Sequence, residues 1–166
     1  GVIAGWPPQL RLSQPYRVAV GDRIIEPQGR VAAQWFRSYL GPNNTLGADI
    51  SNGLLMLVYG EQHAYAGKWP DTEDILETAE MPEWQIQILQ RWQIRFFVVD
   101  RRLISRNNMA GLYFDQTGGD PIPNTKLYPA EIYGKFDKLP KVNRIFDSGN
   151  IVIYDVSALS DVPSTR

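Results

Sequence analysis

The chain has 166 residues, of which 43% are hydrophobic and 21% are charged, and 17 basic against 18 acidic residues give a formal net charge of -1. This length predicts one domain with a substantial core, and the balanced charge argues against nucleic acid as a partner because a phosphate backbone requires a basic surface. The absence of cysteine excludes disulfides and thiolate chemistry, and the single histidine, His63, cannot form a histidine cluster, so we predict no metal and no cofactor.

The first predicted elements are a ribbon and a helix. Residues 16–26, YRVAVGDRIIE, alternate apolar and polar residues around Gly21-Asp22, a pair that favours a tight turn, and they predict a small antiparallel β-ribbon. After Pro27, apolar residues recur at helical spacing up to Gly41-Pro42, which ends the helix. The predicted core-facing side chains of this helix are Val31, Trp35, Phe36, Tyr39 and Leu40.

The middle of the chain predicts alternating strands and helices. Thr45–Asp49 predicts a short buried strand, and Ser51 is placed to cap a helix that runs to Gly60. A short strand near 62–66 and a polar surface excursion over 67–81 follow. The next helix begins at Pro82, and its apolar face consists of Trp84, Ile88, Leu89 and Trp92.

The last third of the chain predicts a buried strand, a loop, a helix and a hairpin. The uninterrupted apolar run Ile94–Asp100 is typical of a strand covered on both faces, within a parallel or mixed sheet between helices. Residues 105–125 predict a long loop, and a helix begins at Pro129. The run 144–156, RIFDSGNIVIYDV, predicts an antiparallel hairpin with two apolar faces, which we expect inside the sheet.

Together these elements predict a three-layer α/β domain. Its sheet is mixed and mainly parallel, with a C-terminal antiparallel hairpin and the small N-terminal β-ribbon at its edge. We expect a single domain over residues 1–156, in which 1–29 form the extension and ribbon and 30–156 form the core. Residues 157–166 have the composition of a flexible tail.

Polar residues follow two of the predicted strands, where ligands bind in open α/β sheets. These candidates are Asp49, Ser51 and Asn52 after the first strand and Asp100, Arg101 and Arg102 after the second. If the strands are neighbours, helix amides and arginines converge on one point and would hold a phosphate or a carboxylate. The alternative is structural: Ser51 caps the helix, Asp49 binds loop amides, and Asp100 pairs with an arginine.

Two further features carry weaker predictions. His63 is a candidate general base because histidine titrates near neutral pH, but the chain lacks a G-x-S-x-G nucleophile motif, and the alternative is a partly buried histidine at a strand end. The acidic residues between 73 and 83 form either a site for a hard cation or, more simply, a solvated face. Among the tryptophans, Trp6 and Trp69 fall in predicted loops and are the candidates for stacking on a sugar.

Four segments also resemble a known class of protein. In chain order they are PQGRVAAQWFRSYLGPNNTLGADISNGLLMLVYGEQ, ILQRWQIRFFVVDRRL, GLYFD and KFDKLPKVNRIFDSGNIVIYDV. They resemble the C-terminal soluble region of bacterial multi-pass membrane proteins of the glycosyltransferase-like, GT-C type, which are related to mannosyl- and arabinosyltransferases that use lipid-linked sugars. The resemblance spans 27–156, and its most diagnostic part is D-S-G-N followed by a strand that ends in Tyr-Asp-Val.

The resemblance implies a location and a role. It implies an extracytoplasmic domain of an integral membrane protein, with the transmembrane region of the full-length protein as its partner. Catalytic acids of such transferases lie beside the membrane helices, so no catalytic residue is carried over to this chain. The expected function is a non-catalytic accessory domain that positions a glycan or polymer acceptor or contacts an envelope protein. The alternative is a small α/β enzyme or ligand-binding protein that acts on a phosphorylated or carboxylated sugar.

Overall fold

The computed structural model describes residues 18–20, 25–66, 72–76, 78–104, 109–111 and 129–160. The strands in these ranges are β1 (Val18–Val20), β2 (Thr45–Ala48), β3 (His63–Ala66), β4 (Phe96–Asp100), β5 (Met109–Gly111), β6 (Asn143–Asp147) and β7 (Ile151–Asp155). The α-helices are α1 (Pro27–Leu40), α2 (Ile50–Val58), α3 (Glu83–Arg91), α4 (Ala130–Gly134) and α5 (Ser157–Ser160), and short 3-10 helices span Asp74–Leu76 and Arg101–Ile104.

The main sheet is mixed, as predicted. Its strand order is β3-β2-β4-β7-β6. Strands β3, β2 and β4 run parallel to one another, and the hairpin β6/β7 joins β4 in antiparallel pairing through β7. The fold is therefore α/β, and the carboxyl ends of its three parallel strands lie at one edge.

Helices cover both faces of this sheet. Phe96 and Val98 of β4 pack with α1 and α2, whereas Phe97 and Val99 pack with α3 and α4 on the other side. On that second side Phe136 stacks between Phe97 and Tyr154, with ring centroids 5.2 Å and 5.1 Å apart. The prediction that 94–100 contains a strand buried on both faces is confirmed, because all five residues of β4 are buried.

The buried face of α1 agrees only in part with the predicted one, since Phe36 is buried as expected. Its buried residues are Gly29, Ala32, Ala33 and Phe36, whereas Val31 and Tyr39 are 52% and 74% exposed. The small residues allow α1 to approach α2 closely: a Cβ on Gly29 would lie 2.7 Å from Cδ1 of Leu55. Close helix packing has therefore overridden the pattern of large apolar side chains.

Strand β1 pairs in parallel with β5, and the turn and most of the second strand of the expected antiparallel ribbon lie outside the described residues. Three local predictions differ from the structure. Asp49 caps α2 through a 3.0 Å bond from the amide of Asn52, so Ser51 is inside the helix. Strand β6 has no outer neighbour among the described strands, so only β7 lies inside the sheet. The expected tail begins with α5, whose Ser160 is buried.

The excursion over 67–81 is partly built into the core. Ile75 and Leu76 are buried there. The ammonium of Lys135, itself buried, donates to the backbone oxygens of Ile75, Thr78 and Glu80 and, at 2.8 Å, to Oε1 of Gln85. Burial lowers the pKa of Lys135 to about 8. The hydrogen bonds of Lys135 therefore hold the segment around residues 75–80 against the layer formed by α3 and α4.

Candidate functional site

Asp49 and Asp100 lie together at the carboxyl edge of the parallel strands, as the sequence predicted. Asp49 follows β2 and Asp100 ends β4, and both residues are 2% exposed. The side-chain amide of Asn52 links them, since its Nδ2 donates to Asp49 Oδ2 at 2.6 Å and to Asp100 Oδ2 at 3.4 Å. Asp49 is the N-cap of α2 and Asn52 is its third helical residue, and this spacing places their side chains next to each other.

Arg102 joins this pair of acids to the start of α1. Its Nε and Nη2 donate to the two oxygens of Asp100 at 2.8 Å and 2.6 Å, and its Nη1 donates to Glu26 Oε1 at 2.9 Å. Glu26 is the N-cap of α1 and accepts a 2.6 Å bond from the amide of Gly29 through its other oxygen. We call Glu26, Asp49, Asn52, Asp100 and Arg102 the acid–arginine cluster.

The charges of the cluster do not balance. Three carboxylates surround one guanidinium, and burial together with the charge of Asp100 raises the pKa of Asp49 to about 6. Burial opposes ionisation of Glu26, but the bonds from Arg102 and the Gly29 amide outweigh it and lower the Glu26 pKa. Burial likewise opposes ionisation of Arg102, and its two carboxylate partners raise its pKa despite that.

This geometry opposes the predicted binding of a phosphate or carboxylate. Arg102 already donates to two carboxylates, and the excess of negative charge repels an anion. Within the described ranges, no group of three or more acidic, histidine or cysteine side chains has the arrangement of a metal site. Of the structural alternative, the pairing of Asp100 with an arginine is confirmed, whereas the helix is capped by Asp49 and not by Ser51.

Ser51 and Arg101 do not join the cluster. Ser51 is 3% exposed in the first turn of α2, and its Oγ has no hydrogen-bond partner among the described residues. Arg101 lies next to Arg102 in the chain but belongs to a second group of charged residues. Its guanidinium lies 3.4 Å from the carboxylate of Asp147 and 3.8 Å from that of Asp137.

That second group fixes the C-terminal hairpin. Arg144 contacts Asp137 at 2.6 Å and Asp147 at 2.7 Å, and the hydroxyl of Tyr154 donates to Asp137 at 3.0 Å. We call Arg101, Asp137, Arg144, Asp147 and Tyr154 the hairpin network. Its two arginines balance its two aspartates, and it ties the end of β4, the turns after α4 and both strands of the hairpin. All five residues belong to the motifs that carry the resemblance.

His63 lies away from the acid–arginine cluster. It is the first residue of β3 and pairs in register with Thr45, the first residue of β2, whereas Asp49 follows the last residue of β2. The histidine is therefore at the opposite edge of the sheet. It is also exposed, and not partly buried as the structural alternative expected.

Three aromatic side chains that the sequence did not single out form a surface group. The ring centroid of Trp35 lies 5.3 Å from that of Tyr39, with 27° between the planes, and 4.9 Å from that of Phe146 on β6. We call Trp35, Tyr39 and Phe146 the aromatic cluster. Helical periodicity assigned Trp35 and Tyr39 to the core. Trp35 is partly buried and packs against the core, whereas Tyr39 is exposed, and the signal for this was the run of small residues on the other side of α1. The earlier stacking candidates, Trp6 and Trp69, lie outside the described residues.

Comparison of this chain with protein-family models, with curated proteins and with solved structures finds no match. In the part of the chain that the structure describes, the helices are too short or too polar to cross a bilayer. The functional interpretation therefore depends on the geometry and on the sequence motifs.

Proposed function

We propose that this chain is a non-catalytic extracytoplasmic domain of a multi-pass, glycosyltransferase-like membrane protein, and that it positions a glycan or polymer acceptor. The membrane region of that protein would be its permanent partner. The observation that carries the proposal is the aromatic cluster on α1 and β6, in which the exposed Tyr39 stacks on the partly buried Trp35. The resemblance of the chain to C-terminal domains of such proteins supplies the location.

The two charged groups support an accessory role. Asp100, Arg101 and Arg102 lie at the end of a strand, where reactive residues are often found. Their charges are nevertheless paired with one another or with other charged side chains of the fold. Arg144 and Asp147 of the closing motif likewise hold the hairpin in place. The motif residues of the resemblance therefore specify architecture, which suits a domain whose chemistry takes place elsewhere in the protein.

The aromatic cluster has the properties of a sugar-stacking surface. An aromatic ring has a negative face and attracts the polarised C–H groups that one face of a pyranose or furanose ring presents. Tyr39 offers such a face because it is 74% exposed and stacks on Trp35. Trp35 also contacts Phe146 and packs against the core, so the ring below Tyr39 is held in place before a ligand arrives.

Titration with oligosaccharides tests this proposal. Fragments of mannan and of arabinan are added to the 166-residue chain, and tryptophan fluorescence and the NMR signals of the indole groups are followed. We expect saturable changes at Trp35. Tyr39→Ala should weaken binding about two- to tenfold, since an aromatic contact contributes roughly 0.5–1.5 kcal/mol.

Trp84→Ala is the matched control because Trp84 is also exposed, at 42%, but lies on α3 in the other helical layer. It should leave binding unchanged. If neither oligosaccharide binds, or if Trp84→Ala weakens binding as much as Tyr39→Ala, the aromatic cluster is not a glycan surface and the proposed role is wrong.

A further inference from the structure

One side of α1 continues the aromatic cluster into a polar region. Gln28, Val31, Trp35 and Tyr39 are spaced by three, four and four positions, so they share one side of the helix. We call these four residues the α1 strip. Val31 and Tyr39 are exposed, and Gln28 and Trp35 are partly buried. The surface on this side of α1 therefore extends well beyond the two rings of the aromatic cluster.

A pair of side-chain amides lies at the far end of the α1 strip. Nδ2 of Asn150, in the turn between β6 and β7, donates to Oε1 of Gln28 at 3.1 Å. The backbone carbonyl of Asn150 accepts a 2.8 Å bond from the amide of Arg101, so the turn is held against the end of β4. Within the described residues, Nε2 of Gln28 and Oδ1 of Asn150 have no further partner. The pair therefore presents unused donors beside an unused acceptor.

The end of β6 and the turn after it run beside the α1 strip. Phe146 contacts Trp35, with ring centroids 4.9 Å apart, and Asn150 contacts Gln28. From Trp35 to Gln28 the helix advances about 10 Å at about 1.5 Å per residue. From Phe146 to Asn150 an extended chain covers at most about 13 Å at roughly 3.3 Å per residue. The two segments therefore lie side by side between the aromatic cluster and the amide pair.

The chemistry of this surface suits an uncharged ligand that is rich in hydroxyl groups. The residues of the α1 strip and Asn150 carry no charge. At about 100° per residue, Arg30 and Arg37 lie roughly half a turn from Gln28, on the other side of α1. A hydroxyl group both donates and accepts, and the amide pair offers both kinds of partner. The aromatic rings attract the C–H groups of a sugar. A neutral glycan matches both features.

We propose that the α1 strip and Asn150 form one extended site for a linear, uncharged glycan of several sugar units. One unit stacks on Tyr39, and a unit further along the same glycan bonds to the amides of Gln28 and Asn150. The inference rests on the proposed function and deepens it, because it states the length and charge of the acceptor. From Tyr39 to Gln28 the strip spans about 16 Å at about 1.5 Å per residue, which is longer than a single sugar ring.

A series of glycan lengths tests the inference. Mannan and arabinan fragments of one to six sugar units are titrated into the 166-residue chain, and the NMR signals of the indole and side-chain amide groups are followed. We expect Gln28→Ala and Asn150→Ala to weaken binding of the longest fragments about two- to tenfold, the usual effect of removing one hydrogen bond. They should leave binding of the shortest fragments unchanged. Tyr39→Ala should weaken binding at every length.

Two further variants make the comparison specific. Gln34→Ala is the matched control, because Gln34 is an exposed glutamine on the same helix but outside the α1 strip. It should bind every fragment as the natural protein does. Gln28→Met keeps the length of the side chain and lacks the amide, so it separates a lost hydrogen bond from lost packing. It should behave like Gln28→Ala.

The outcomes separate this inference from the proposed function. A loss that is confined to long fragments supports both. If affinity does not depend on length, or if the Gln28 and Asn150 variants affect short and long fragments equally, the extended site is wrong while the aromatic cluster remains a glycan surface. If no fragment of any length binds, the proposed function is wrong and the extended site is wrong with it.

Discussion

Asp49 is the residue whose ionisation depends most on its neighbours. It is buried, it shares the amide of Asn52 with Asp100, and the nearby cation, Arg102, is bonded to Asp100 and Glu26 instead. These surroundings raise the pKa of Asp49 from 3.8 to about 6. The folded protein therefore takes up a proton at Asp49 more readily than the unfolded chain does.

This shift predicts a pH dependence of stability. Between pH 3.8 and about 6 the folded state holds more protons at Asp49 than the unfolded state, so its contribution to the unfolding free energy is present below this window and is lost as pH rises through it. At about 1.4 kcal/mol per pH unit the loss reaches about 3 kcal/mol. Asp49→Asn, which keeps a good cap, should lack this loss and be more stable than the natural protein at pH 7.

Urea unfolding at pH 4, 5, 6 and 7 measures the effect. Glu26 has a lowered pKa and contributes stability that is lost as pH falls below its ordinary value, but it is present in both proteins and cancels in the comparison. Glu61→Gln, at an exposed ion pair, is the control. Parallel curves for Asp49→Asn and the natural protein would contradict the assigned pKa.

At the residue level, the sequence predicted part of the site. It predicted a convergence of six residues, because polar residues after parallel strands converge at one edge. Four of them, Asp49, Asn52, Asp100 and Arg102, do meet, whereas Ser51 and Arg101 do not. It missed Glu26, which reaches Arg102 across 76 positions in the chain. A contact between residues so far apart in the sequence depends on how α1 packs on the sheet, and a local sequence pattern does not predict it.

At the scale of elements, Arg102 is the connection between α1 and β4. Replacing it with methionine would leave Glu26 and Asp100 buried without their cation. Breaking a buried pair in this way costs about 3–5 kcal/mol. We expect Arg102→Met to lower the unfolding free energy by that amount at pH 7.

Arg37→Met provides the comparison on the same helix. The side chains of the Arg37–Glu61 pair are 54% and 48% exposed, and surface pairs contribute less than about 1 kcal/mol. Urea unfolding of both variants measures the difference. Equal losses would mean that the guanidinium of Arg102 does not stabilise the start of α1.

Periodicity predicted the existence of elements better than their orientation. The helices and strands of the main sheet lie close to the expected positions, because long apolar patterns and Gly or Pro boundaries are local signals. Part of the predicted buried face of α1 was wrong, and β1 has a strand partner that was not predicted. Ala32 and Ala33 are too small to mark a buried face in a hydropathy pattern, and β1 pairs with β5 far along the chain.

At the scale of the whole molecule, stability should be highest in the middle of the sheet. Strands β4 and β7 have neighbours on both sides and residues buried on both faces, whereas β3 and β6 are the end strands of the main sheet. We expect β4 and β7 amides to exchange hydrogen only through global unfolding, and amides on the outer side of β6 to exchange much faster. Hydrogen exchange followed by NMR measures this, and equal protection of β4 and β6 would contradict the strand order.

The length of α1 separates the charged groups at its two ends. The helix has 14 residues and is therefore about 21 Å long at about 1.5 Å per residue. The acid–arginine cluster lies at its start, and the Arg37–Glu61 pair lies in its last turn. Salt at physiological strength screens charges beyond about 8 Å. A change of charge at Glu61 therefore leaves the ionisation of Asp49 unaffected.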